Sequence, residues 1–320
     1  FVAILPIVAA AAVLGWARLP GRQAATPTRL RFEPKGVLLL GTFTVVSLIG
    51  LSTISLLSAA AAALAVVLAV AYWLYARNAD QPVVATRYFA QFPIGSTNIA
   101  FGLAFGAALG LDAYLPVYVR GGLGDSAVVA AFSVAFLTVG WAVASVVMTK
   151  VLDNFTETAT ALAGYALLIP PFVVGLVFYN SQTPIALVLS VAFVLGLGVG
   201  TLSMSLLNLL YLVSEPPEVG RASSAHQYLR GLFQTYAAAL IGAIMLSVMS
   251  SRIGDLEQVQ KLLAGGEGTG DSAAQQAIAD GFRTGHVVPL VFTAIGLIVA
   301  TRLHRRLGRP TRRSAQQARV

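Results

Sequence analysis

The sequence predicts an all-α integral membrane protein with nine transmembrane helices, and three observations predict it. Charged residues make up only 11% of the chain and apolar ones 57%, with a mean hydropathy of +0.79, whereas soluble domains carry about a quarter charged residues. Apolar runs recur at close to the roughly twenty residues that cross a ~30 Å hydrocarbon layer. The basic residues also sort by side. If the first run starts outside, all 21 Lys and Arg fall on inner segments except Arg120, Arg252, Lys261 and Arg283, which is the asymmetry of the positive-inside rule.

The runs fall at about 1–16, 37–55, 58–76, 96–119, 127–149, 158–179, 184–213, 222–249 and 286–303. The apolar block 38–75 is too long for one crossing and divides near Ser55 to Ser58, its only cluster of turn-tolerant residues. Trp16, Tyr72, Trp73 and Tyr75 lie at inner ends, and Tyr114 and Tyr118 at an outer end, as an aromatic belt requires. The one long outer segment, 250–285, reads as a short helix near 255–263, a Gly-rich break at 265–270 and a second helix from Asp271 or Ser272. It is expected as a solvated connection rather than a lid. The polar, basic end of the chain is expected to lie disordered near anionic lipid. The chain opens on Phe1 with no polar lead, so it is expected to begin inside a helix and to be a fragment rather than to start with a signal peptide.

The net charge of +8 and pI near 10.0 do not point to nucleic acid, because the basic residues sit between apolar runs and not on one folded face. The chain has no cysteine, which excludes disulfides and thiolate metal sites. His286 and His304 stand at opposite ends of the last run without clustered acids, so no metal site is expected. No set of nucleophile, base and orienting group is present. Abundant Ala and a strong preference for Arg over Lys point to a GC-rich bacterial genome.

The chain is organised around 195–231, where a Gly-bearing apolar run meets a charged Pro-Pro turn and then a second helix. Gly102, Gly106 and Gly110 place GxxxGxxxG on one face of the fourth run, a pattern for close helix packing. Gly196, Gly198 and Gly200 are read as sites of bending or close packing; with no preceding strand and no following Lys-Ser/Thr they do not form a nucleotide loop. Asp112 is the one acid inside a span, and a charge there usually faces a cavity or a partner. It is a proton or cation coupling candidate, or else an acid near the outer water. His226, Arg230 and Gln234, spaced by four, form a polar stripe with Gln227. Arg230 faces a cavity, or else it snorkels to the inner interface. Asn208, Tyr211, Asn98 and Tyr114 complete the candidates for cavity or gating roles.

These residues resemble a known family, the drug/proton antiporters with fourteen transmembrane helices, within the major facilitator superfamily. FVAILP at the start is similar to that family's F-x-x-N-x-P in helix six, with Ile4 in place of Asn. YLPVY from Tyr114 is similar to Y-L-P-L-Y, and GLGVG from Gly196, GRASS from Gly220 and the Arg230-Gly231 pair resemble further family segments. The resemblance implies a major-facilitator-type helical bundle whose N-terminal helices are missing. It assigns 1–16 to the last helix of the N-terminal bundle, 17–36 to a cytoplasmic loop and 37–77 to a linker helix pair. A C-terminal six-helix bundle would occupy 78–303, with the outer loop 250–285, and a basic cytoplasmic tail 304–320. The loop after the fifth run is similar to the superfamily's conformational loop motif. Asp153 matches its acid, while Asn154 and Thr156 depart from it; Gly220 and Arg221 are grouped with Asp153 as cytoplasmic loop residues.

The resemblance implies proton-coupled efflux of small amphipathic or drug-like compounds by alternating access, hence antibiotic resistance, in the bacterial inner membrane with a cytoplasmic C-terminus. Its partners would be membrane lipid, protons, the substrate and the missing N-terminal half, with no cofactor and no nucleic acid. The alternatives are an exporter or symporter of one dedicated metabolite, an integral-membrane enzyme, and an inactive truncated product.

Overall fold

The computed structural model describes residues 9–10, 13–14, 33–52, 56–79, 82–254, 259 and 272–308. Most of the run 1–16, nearly all of the loop 17–36, the segment 255–271 apart from Val259, and the tail from 309 lie outside the described residues, as do the expectations attached to them. The chain divides into two compact units, Phe1–Pro34 and Lys35–Val320. In the first, residues 9–10 and 13–14 are helical. The second carries the helical bundle.

The helices are α1 (Pro34–Ser52), α2 (Leu56–Asn78), α3 (Arg87–Ala90), α4 (Ile94–Asp112), α5 (Leu115–Val117), α6 (Ala127–Val151), α7 (Glu157–Phe178), α8 (Ile185–Val213), α9 (Val219–Ile253), α10 (Ser272–Gly285) and α11 (Val287–Leu307). A π-turn (Tyr118–Gly122) follows α5, and a 3₁₀ turn (Pro216–Glu218) precedes α9. No strand occurs among the described residues. Eight helical segments in them are long and apolar enough to cross a membrane, and each apolar run from 37–55 onward falls on one. α1 ends at Ser52 and α2 begins at Leu56; the residues between them, Ser55 of the expected split included, lie outside the described residues. Ser126 and Thr156 accept hydrogen bonds from the backbone N–H of Val129 and Ala159, capping α6 and α7, each worth about 1 kcal/mol.

The segment 250–285 is helical at both ends. Residues up to Ile253 belong to α9, and α10 buries Ala277, Ile278, Ala279 and Phe282. Its alternation of small and apolar residues makes a face that packs on α9 and on the π-turn, where Gly121 lies under Ile278. This stretch is therefore a packed element as well as a connection.

Burial identifies the central helices. The span containing α4 is 67% buried and that of α8 is 50% buried, against 11% for α1. Their surroundings mirror each other: α4 packs on α9 and α11, α8 packs on α6 and α7, and α7 and α11 pack together. Glycines make close contacts possible on both sides. A Cβ at Gly102 would meet the Phe233 ring at 2.5 Å, one at Gly106 the Phe233 carbonyl at 2.8 Å, and one at Gly110 the Ala237 side chain at 2.5 Å. On the other side, Gly196 and Gly200 lie against the backbone of Leu137 and Trp141, Gly140 against that of Phe193, and Gly198 against Leu168 of α7. Close backbone approach of this kind raises dispersion contact where lipid supplies no hydrophobic drive between helices.

Candidate functional site

Arg230 stands eleven residues into α9, Phe105 eleven residues into α4, and Trp141 ten residues before the end of α6. At 1.5 Å per residue each lies about 15–17 Å from one end of the bundle, close to mid-depth. The Arg230 guanidinium carbon sits 4.5 Å from the Phe105 ring centroid and 5.7 Å from that of Trp141, with the two rings edge to face at 5.4 Å. Arg230 also donates to Gln227 Oε1 at 3.4 Å. Its guanidinium is turned to these two rings.

The expected polar stripe does not stay on one face. Spacing of four on a 3.6-residue helix advances about 40° per step, so the stripe rotates from the packed side of α9 to its open side. His226 is fully buried, Arg230 and Gln234 are half-buried, and Gln227 and Gly231 are exposed. His226 Nδ1 donates to Asn98 Oδ1 at 2.8 Å, while Asn98 Nδ2 donates to the Tyr88 carbonyl at 3.0 Å. Because the Asn98 amide is already spent as donor on a carbonyl, its oxygen is the acceptor and His226 carries the Nδ1 proton. The imidazole stacks on Phe101 at 3.6 Å, and its Nε2 is buried without a partner. Asn98 and His226 thus brace α4 against α9, and both are fully buried. Asn208 is half-buried and Tyr211 exposed, and no hydrogen bond joins either to Arg230 or His226 among the described residues.

Asp112 is about 10 Å further along α4 than Phe105, so it does not meet Arg230. Its Oδ1 is buried without a hydrogen-bond partner. The carboxyl lines a cavity of ≈ 20 Å³ together with Pro171, Phe172, Tyr179, Phe282 and His286, room for about one water. His286 Nδ1 donates to the Phe282 carbonyl at 2.8 Å, and its ring lies over Gly175 of α7, where no side chain would fit. Tyr118, Tyr179 and Phe282 stack beside it, and Tyr118 donates to the Asn180 carbonyl at 2.9 Å. Tyr114 lies with its hydroxyl against Gly242 of α9.

At the helix ends that carry Lys150, Arg221 and Arg305, Asp153 and Arg221 are exposed, and a Cβ at Gly220 would meet nothing within 4 Å. There Arg87 pairs with Glu218, tying the segment before α4 to the turn before α9. At the opposite end Arg252 and Arg283 both pair with Asp280, at 2.8 and 3.0 Å. Two of the four basic residues that break the sequence asymmetry therefore answer one buried acid. An apolar cleft of ≈ 460 Å³ lies between α1, α2, α9 and α11, lined by Phe43, Val66, Phe233, Tyr236 and Phe292. Its polar edge is the Ser47–Tyr236 hydroxyl contact at 2.6 Å.

Sequence reasoning gave Phe105 and Trp141 no role and weighed His286 only as a metal ligand. A tryptophan in the middle of a span, away from the interfacial belts where the residue is enriched, was the available signal for the first pair.

No family model matches the chain. It is 25% identical over 216 residues to "Multidrug resistance protein 3" of Bacillus subtilis (strain 168), an alignment covering 66% of this chain and 40% of that protein. The chain thus spans about two-fifths of the length of that curated relative. With eight membrane-length apolar helices among the described residues, this similarity fits a multi-pass membrane transporter.

Proposed function

We propose that the chain is the C-terminal part of a major-facilitator-type carrier that exports small amphipathic or drug-like compounds in exchange for protons. The observation that carries this reading is the mirrored packing of α9 and α11 on α4, and of α6 and α7 on α8, with Arg230 at mid-depth. Nested three-helix repeats with a site near the midplane are the usual build of such carriers. The relative's name supports the drug-like cargo, and the apolar cleft of ≈ 460 Å³ falls within the size range of small-molecule sites. The basic end faces the cytoplasm in this reading, by the positive-inside rule.

Asp112 is the proton-coupling group on this half. A carboxyl oxygen without a protein partner beside a water-sized cavity is costly when ionised in a span, so the site favours a carboxyl that takes up and releases a proton as water enters. The test is dye efflux from liposomes with an imposed pH gradient. Asp112→Asn is expected to abolish gradient-driven efflux while dye exchange without a gradient continues; normal coupling in that variant refutes the role. Counterflow of dyes against candidate metabolites separates this reading from a carrier dedicated to one metabolite.

A further inference from the structure

We propose that Phe105, Trp141 and Arg230 form a subsite for the anionic group of a planar aromatic cargo, an aryl carboxylate in chemical class. The proposal rests on the carrier reading for the claim that the bound anion is cargo. A guanidinium has five N–H donors in a fixed fork. Arg230 commits one, at 3.4 Å, to Gln227, and among the described residues it pairs with no carboxylate.

A cation at mid-depth is costly to insert. Attraction to two aromatic rings returns only part of that cost, so it orients the group without satisfying it. An anion arriving at the free edge of the fork would supply the rest through a bidentate, charge-assisted pair.

The surrounding helices leave that edge accessible. On α9, His226, Phe233 and Ala237 turn toward α4, and Tyr228 and Tyr236 meet α1 through Thr44 and Ser47. Gln227, Arg230, Gly231 and Gln234 occupy the remaining face, which is half-buried to exposed. Across from it, the contact of Gly200 with the Trp141 backbone fixes the α6 side of the subsite. Phe105 is fully buried and can only hold the guanidinium from beneath; a flat ring would lie beside the half-buried Trp141, with its carboxylate on Arg230.

The anion could instead be a carboxylate of the protein itself, and equilibrium binding distinguishes the two sources. The full-length protein in detergent is titrated with naphthoate, with its neutral amide naphthamide, and with the cation naphthylmethylammonium. Naphthoate is expected to bind at least about tenfold more tightly than either, a difference of about 1.4 kcal/mol. Arg230→Gln should bring that ratio to about one while naphthamide affinity stays within about twofold. Arg230→Lys, which keeps the charge and loses the fork, should weaken naphthoate alone, and Trp141→Leu should weaken all three. No preference in the wild-type protein, with Arg230→Gln lowering its melting temperature, assigns the guanidinium to a fixed acid and overturns the proposal. A preference that survives both Arg230 substitutions overturns it as well. Binding requires no transport, so a preserved preference without carrier activity refutes the carrier reading alone. Transport of cationic dyes without any carboxylate preference refutes the subsite alone.

Discussion

Gly200→Ala and Gly231→Ala make the same chemical change in two helices and are expected to differ in sign. At Gly200 the new methyl would lie 2.5 Å from the Trp141 carbonyl oxygen and 2.7 Å from Ala144 Cβ, whereas real Cβ contacts essentially never fall under 3.0 Å. The nearer obstacle is backbone, so α6 and α8 must part by about half an ångström or more, and overpacking of this kind costs about 1–3 kcal/mol. At Gly231 a Cβ meets nothing within 4 Å, and only the helix propensity changes, stabilising by about 0.5–1 kcal/mol. That gain is common to both sites, so the difference between the variants isolates the overpacking cost at about 1–3 kcal/mol. Reversible unfolding in mixed micelles, followed by circular dichroism, measures both. If the two variants move stability the same way and agree within about 0.3–0.5 kcal/mol, the usual additivity error, the close approach of α6 and α8 is wrong.

Gly175→Ala should destabilise by about 1–3 kcal/mol, because its methyl would enter the His286 ring. His286→Ala in the same chain should recover part of the loss, giving a measurable coupling in a double-mutant cycle. Asp280→Asn removes the charge that answers both Arg252 and Arg283 and should lower stability by about 1–3 kcal/mol. Because both arginines are partly exposed, high salt should shrink that difference, which melting temperatures at two ionic strengths will show.

The spans were legible because length and apolarity alone decide them: Ala127–Val151 and Ile185–Val213 match their expected runs to within two residues. That Gly102, Gly106 and Gly110 share one closely packed face could also be read, since spacing by four dictates it. The burial of α10 could not. Its Ser, Gln and Asp residues suggest water, and only the partner face of α9 makes its Ala and Phe positions interior. The neighbours of Asp112 and Arg230 were equally hidden. His286 is 174 residues from Asp112 and Trp141 is 89 from Arg230, and no local pattern links positions so far apart. The stripe 226–230–234 was half legible: periodicity placed it on one side of a helix, but the drift of 40° per step moved its first member into the core.

The glycine contacts join the bundle into two couples, α4 with α9 and α8 with α6 and α7, since helices touching main chain to main chain cannot slide sideways without collision. Any rearrangement that respects those seams leaves α4 and α8 as the axle between the couples. Phe105 and Arg230 ride on one couple and Trp141 on the other, so the gap between guanidinium and indole would widen or narrow as the couples turn.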